Sequence, residues 1–252
     1  MEPSLDRDTA ATKQAGRKQS QRIIALAIFL LGLTLIAVAL WGIWPDWRDD
    51  LAARREYSGL RKDFTPPGDM SRFLAINPDF VAWLTIPGTR VSYPVVHGQD
   101  NLKYLKTTFR GKSNPAGAIF MDYRIKQPFA APVNVVYGHN MRDGSMFATL
   151  NKYLDSEFFT EHPEIIVYTL GGEVLNYQVF EARRISAKDP LFSLDFNDTN
   201  SLEYFGYLFE VSTDVTGSTG GVGKHILVLS TCSDGRDNNA RTVVFAQRIT
   251  AE

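Results

Sequence analysis

The 22 residues from Ile23 to Trp44, IIALAIFLLGLTLIAVALWGIW, carry no charged side chain. As a helix they reach about 30 Å, the thickness of bilayer hydrocarbon, so the sequence predicts a membrane span before anything else. Lys13, Arg17, Lys18 and Arg22 crowd the N-terminal flank. The far flank mixes Asp46, Asp49 and Asp50 with Arg48, Arg54 and Arg55. Positive charge stays on the cytoplasmic side, so residues 1–22 are expected inside and everything after the span outside. Trp41, Trp44 and Trp47 lie where an outer aromatic belt sits. A cleaved secretory signal is the competing reading, with Ala37 to Ala39 as its cleavage site. Such signals have apolar regions of only about 7 to 15 residues, and this run continues into tryptophans, so an uncleaved anchor is expected.

The organisation that follows is a tail at 1–22, a signal-anchor helix at 23–44, a juxtamembrane stalk or helix at 45–75 and an extracytoplasmic domain at 76–252. A formal net charge of -1 offers no basic excess, and nucleic acid is set aside as a partner. Beyond a short helix stopped at Asn77-Pro78, apolar β-like runs separated by turn residues recur. They cover 81–86, 91–95, 118–122, 133–137, 164–170, 173–185, 226–231 and 242–249. Leu170-Gly171-Gly172-Glu173 has hairpin chemistry. Helical spacing marks Ser145 to Phe159 and Ser201 to Val211. Eight short strands with few helices predict a mainly β, closed or nearly closed barrel. The glycine-rich run at 217–223 lacks the Lys-Ser/Thr ending of a phosphate loop and reads as a surface loop.

The chain has one cysteine, Cys232, at the end of the strand 226–231. Exported proteins commonly use thiols in pairs, and a single one cannot close an internal disulfide, so it is either buried and inert or reactive. Arg241 begins the next strand. A hairpin between the two brings thiol and guanidinium to one rim, whereas Arg236 sits mid-loop. A thiol near its ordinary pKa is mostly protonated at neutral pH, and a histidine is the usual partner that activates it. Of four histidines, His97 and His162 lie in or beside loops. His225 opens the cysteine's own strand, and seven extended residues put it roughly 23 Å away. His139 ends the run VNVVYGH and is presented at a strand terminus, as Cys232 is.

Three segments carry a resemblance: VVYGHNM around His139, LSTC ending at Cys232, and an arginine nine residues later. Together they resemble the signature of sortases, membrane-anchored cysteine transpeptidases of Gram-positive bacteria. The stretch from Tyr93 to Asp122 and the long insertion with a helix between Lys188 and Val211 are similar to class B sortases. The resemblance spans Asn77 to Ile249. It departs from the family where Val228-Leu229-Ser230-Thr231-Cys232 replaces the usual Thr-Leu-x-Thr-Cys, and at His97, where a polar residue such as glutamine is common.

The resemblance implies an eight-stranded sortase-type barrel with N-terminal helices and a helix in the insertion before the cysteine strand. It also implies that Cys232 cleaves a C-terminal sorting motif of a secreted surface protein and holds the acyl group as a thioester. His139 is then general acid and base, and Arg241 supports substrate and oxyanion. The acceptor is an amine of peptidoglycan, from the stem or a cross-bridge, or a pilin lysine. Asn101, Leu105, Leu191, Phe192 and Ser230 are implied groove residues, and Asp234 matches an acidic position that in the family is proposed to orient the histidine. No cofactor is expected: no Cys/His pair has structural zinc spacing, and no carboxylate cluster for calcium is evident. A cysteine peptidase that only hydrolyses and a catalytically silent surface module remain alternatives at this stage.

Overall fold

The computed structural model describes residues 26, 28–38, 47–66, 68, 70–206, 225–232 and 239–249. The chain divides into two compact units, Met1–Arg48 and Asp49–Glu252. In the first, residues 28–38 are helical and expose apolar side chains all round, among them Leu30, Leu31, Leu33, Leu35 and Ile36. Thr34, the hydroxyl residue of this helix, donates back to the carbonyls of Leu30 and Leu31. Among the described residues no helix is long and apolar enough to cross a membrane. Of the 23–44 run, residues 23–25, 27 and 39–44 lie outside the described residues, as do the tail at 1–22 and the glycine-rich run at 217–223.

The second unit opens with helix α1, residues 49–63. Ala53, Tyr57 and Leu60 recur at spacings of four and three, which puts them on one stripe, and all three are buried against the barrel. Tyr57 fastens that stripe: its hydroxyl donates to the carbonyl of Gly117 at 2.5 Å and accepts from the amide of Phe109 at 3.3 Å. Arg54 adds an ion pair to Asp143. Helix α2, Ser71–Ile76, ends at Asn77, whose backbone is extended. The residue before a proline is driven out of the helical region, so Pro78 sets this boundary.

Eight strands close into a barrel in the order β1-β2-β3-β4-β7-β8-β6-β5. They are β1 (Phe80–Thr85), β2 (Ser92–Val96), β3 (Ile119–Met121), β4 (Val133–Gly138), β5 (Glu164–Thr169), β6 (Val174–Ser186), β7 (Ile226–Cys232) and β8 (Ala240–Ile249). The eight expected runs and these eight strands coincide to within one residue at every end but the start of β8, which comes two residues earlier. Most neighbours pair antiparallel, but β2 with β3 and β4 with β7 are parallel. The hairpin at 170–173 forms as its chemistry requires: Gly172 has φ +86 and its amide closes onto the carbonyl of Thr169.

The inner and outer faces of β7 are both covered, since Ile226, Leu227, Val228 and Leu229 are all fully buried. That explains a continuous apolar run where a half-exposed strand would alternate. The long segment between β6 and β7 contributes to the cover by packing Phe205 on Phe245 of β8, ring centroids 6.0 Å apart. In it the predicted helix Ser201–Val211 is a 3-10 turn at Thr199–Leu202 running into helical residues 203–206, and the remainder lies outside the described residues.

The expected helix Ser145–Phe159 is instead two pieces, a 3-10 helix Ala148–Leu154 and helix α3, Ser156–Glu161. Asp155 divides them. Its backbone is extended and its carboxylate accepts from the amides of Glu157 and Phe158, so it caps a new helix rather than continuing the old one. Helical spacing of apolar residues is blind to such a break, because both pieces bury apolar residues, Leu150 and Tyr153 in the first and Phe159 in the second.

Candidate active site

Strand register assembles the site. In the parallel ladder between β4 and β7, Tyr137 pairs with Ser230 and Gly138 with Thr231. One further step of this register brings His139 and Cys232 to the same rim. In the antiparallel ladder between β7 and β8, Cys232 pairs directly with Arg241. The backbone of Cys232 therefore lies between those of His139 and Arg241, with strand spacings of about 4.8 Å on either side. His225, which precedes β7, is at the opposite rim with its ring against the carbonyl of Ala131. His162 is bound to the carbonyl of Pro87.

A hollow of about 150 Å³ opens at this rim, lined by Asn101, Leu105, Phe120, Tyr137, Gly138, His139, Ser230, Thr231 and Arg241. Larger hollows of about 550 and 390 Å³ share none of these residues. At the rim hollow, the His139 ring is held by the carbonyl oxygen of Leu105, 2.8 Å from Nε2. A carbonyl only accepts, so Nε2 carries the proton in this contact. His139 is presented by a position that admits only glycine before it. A Cβ on Gly138 would meet the ring of Phe147 at 2.7 Å and the Cδ1 of Ile119 at 2.5 Å.

The floor is unusually rich in unsatisfied polar atoms. Ser230 Oγ and Thr231 Oγ1 are buried and have no hydrogen-bond partner among the described residues. Buried hydroxyls without partners are costly, and here both border an open hollow where a peptide can satisfy them. Arg241 is partly exposed at the mouth, and its charge acts on Tyr137. Burial, together with the adjacent Asp122 carboxylate, pushes the Tyr137 phenol far above its ordinary value, so it stays protonated as a donor to Asp122.

Of the expected groove residues, Asn101, Leu105 and Ser230 line the hollow. Phe192 lies beside it, its ring 6.4 Å from that of Tyr137. Leu191 does not reach it: its side chain is fully buried in the hydrophobic core, because the 3-10 turn Pro190–Ser193 points it inward. Asp234 lies outside the described residues. The structure adds Tyr137, Phe120 and Thr231, which sequence reasoning treated as strand residues only. Tyr137 stands two residues before His139 in a strand, and that period-two relation was the available signal. Among the described residues no group of three or more His, Cys, Asp or Glu side chains is placed to hold a metal ion.

Residues 84–249 match the family model of the Sortase domain. Sortase B of Listeria monocytogenes is 34% identical over 179 residues, covering 69% of this chain and 72% of the relative. Sortase B of Staphylococcus aureus is 32% identical over 180 residues, 69% of this chain and 71% of the relative. Among solved structures, the Staphylococcus aureus sortase B-substrate complex superposes with a TM-score of 0.68 at 28% identity, covering 81% of this chain and 100% of that one.

Proposed function

Because the chain belongs to the sortase family and is a class B-like cysteine transpeptidase, we propose that Cys232, His139 and Arg241 are its catalytic residues. The observation that carries this assignment is the register across β4, β7 and β8, which gathers the three at one rim. The sulfur of Cys232, as thiolate, attacks the carbonyl carbon of the scissile peptide bond in a sorting motif. The C–N bond breaks and His139 delivers a proton to the departing amine, leaving a thioester. An incoming amine then attacks the thioester carbonyl, His139 takes the amine's proton, and the sulfur leaves as thiolate. Arg241 faces the oxygen on which negative charge develops in both steps, a contribution of several kcal/mol when donors are preorganised.

Asn101, Leu105 and Ser230 form the wall and floor that hold the peptide, which is supported by their place around the hollow. The acceptor amine belongs to peptidoglycan or to a pilin subunit, the polymers that lie outside a Gram-positive membrane. The segment 23–44 anchors the enzyme by a single span with residues 1–22 in the cytoplasm and the barrel outside. Supporting this is the wholly apolar surface of residues 28–38, where even the Thr34 hydroxyl is satisfied within the helix, as hydrocarbon surroundings require.

The test is mass spectrometry of the full-length chain incubated with peptides of the Leu-Pro-x-Thr-Gly, Asn-Pro-x-Thr and Ser-Pro-x-Thr-Gly types. A thioester adduct on Cys232, released as ligated product by an added glycine or diaminopimelate-type amine, is expected. Peptide cleavage that persists in Cys232→Ala sinks the assignment.

A further inference from the structure

Behind the hollow, and lining none of it, stands Asp122, one residue past β3. Its side chain is fully buried and its carboxylate gathers an unusual number of donors. Oδ1 accepts from the Arg124 amide at 3.0 Å and from Arg124 Nε at 2.9 Å. Oδ2 accepts from Arg124 Nη2 at 2.9 Å, the Tyr137 hydroxyl at 2.9 Å and Asn101 Nδ2 at 3.0 Å. Burial alone would raise this carboxyl's pKa, but Arg124 and Tyr137 more than offset it and hold it below the ordinary value. The group is a carboxylate at neutral pH and only accepts.

Two of the side chains it fixes, Asn101 and Tyr137, face the hollow. For Asn101 this matters chemically. The two ends of a carboxamide are nearly the same shape, and only their partners decide which way round they lie. Asp122 demands the nitrogen, and the amide of Tyr123 donates to Oδ1 at 3.1 Å, demanding the oxygen on its own side. Both demands are met by one orientation. It leaves one N–H of Nδ2 without a role in this network, a donor for a carbonyl of a bound peptide. A buried ion pair is a weak source of stability compared with apolar packing, so its retention beside the site calls for another explanation.

We propose that Asp122 is a positioning residue that sets the orientation of the Asn101 amide, so that a donor rather than an acceptor faces the acyl-donor peptide. The inference rests on the hollow being the peptide site. Asp122→Asn is the informative change, because the new amide can offer either a donor or an acceptor to Asn101, and only the Tyr123 amide then still favours one orientation.

Steady-state kinetics of the full-length chain with an Asn-Pro-x-Thr peptide read the effect. Asp122→Asn is expected to raise KM about tenfold, the size of one hydrogen bond, with kcat changed less than about twofold, as for a contact shared by ground and transition states. In an Asn101→Ala background the same change is expected to add nothing further. An effect of Asp122→Asn that persists undiminished in that background, or falls on kcat alone, overturns the proposal. NMR of the unmodified chain supplies a second readout that needs neither turnover nor a folded variant. The two Asn101 side-chain amide protons should be inequivalent, one protected from exchange and shifting as Asp122 is protonated in acid. Two freely exchanging, acid-insensitive protons overturn the proposal even if the chain is an active transpeptidase. Protected protons in a chain that forms no thioester leave the positioning geometry standing and fault the peptide-site reading instead.

Discussion

His139 Nε2 donates to the main-chain carbonyl of Leu105 across 2.8 Å. The contact selects a tautomer: in the neutral ring the proton sits on Nε2 and Nδ1 is the basic nitrogen. It also ties the imidazole to the segment that carries Asn101, so the ring and one wall of the hollow are held together. His139→Gln keeps a side chain of similar reach but no titratable nitrogen. Thioester formation on Cys232, followed by mass spectrometry, should slow by about 10² to 10⁴ fold, the range for loss of a general acid or base. The melting temperature should stay near that of the parent chain.

Gly138 admits no side chain. Alanine there would drive a Cβ into Phe147 and Ile119. Overpacking of this kind costs about 1 to 3 kcal/mol, and since His139 is the next residue, the strain is delivered to the site. Gly138→Ala is therefore expected to lose both melting temperature and acylation rate, whereas an alanine at the open Gly59 should change neither by much.

Arg241 pairs with Cys232 in the β7/β8 ladder, which fixes the two backbones opposite each other. Arg241→Ala should reduce kcat by about 10² to 10³ fold, as removal of an oxyanion donor does. Lysine keeps the charge but not the planar fork of donors, so Arg241→Lys should recover only part of the loss. Equal activity in the arginine and lysine forms would show that charge alone suffices.

Acid should destabilise the barrel in a defined window. Burial would raise the carboxyl pKa values of Asp122 and Asp143, but Arg124 and Tyr137 around the first, and Ser145 and Arg54 around the second, outweigh it and lower both. A carboxylate whose folded value is depressed contributes stability that is complete above its unfolded value, 3.8, and is lost as pH falls below that toward the folded value. Melting temperature should therefore fall steeply below about pH 4. Asp143→Asn should flatten part of that slope, and an unchanged slope would assign the acid sensitivity elsewhere.

Tyr57 joins α1 to the barrel through one hydroxyl that both donates to Gly117 and accepts from Phe109. Tyr57→Phe leaves two buried backbone groups short of a partner, at about 1 to 3 kcal/mol. Thermal unfolding should report the loss, and hydrogen exchange should localise it to residues 49–63.

The strands, and the rim to which His139, Cys232 and Arg241 are brought, were legible because each is written locally: apolar runs between turn residues, a strand-terminal histidine after glycine, a lone thiol closing an apolar run, an arginine opening the next one. What escaped was set by tertiary contact. Nothing local distinguishes Asp155 as the break between two helical pieces. Leu191 and Phe192 are adjacent and similar in sequence, and only the turn they sit in sends the first into the core and leaves the second beside the hollow. Asp122 looked like an ordinary strand end. Its importance depends on Asn101 and Tyr137 arriving from two other parts of the chain.

The parallel pairing of β4 with β7 has a consequence for how the enzyme comes into being. Parallel neighbours cannot be joined by a tight turn, and here β5, β6 and the long segment after it intervene before β7 can dock. The imidazole strand waits beside an empty slot until nearly the whole polypeptide has been laid down, and the guanidinium strand follows last of all. Such distant pairings form late in folding. A partly made chain thus carries the imidazole with neither thiol nor guanidinium beside it, and the rim is assembled only with closure of the cylinder.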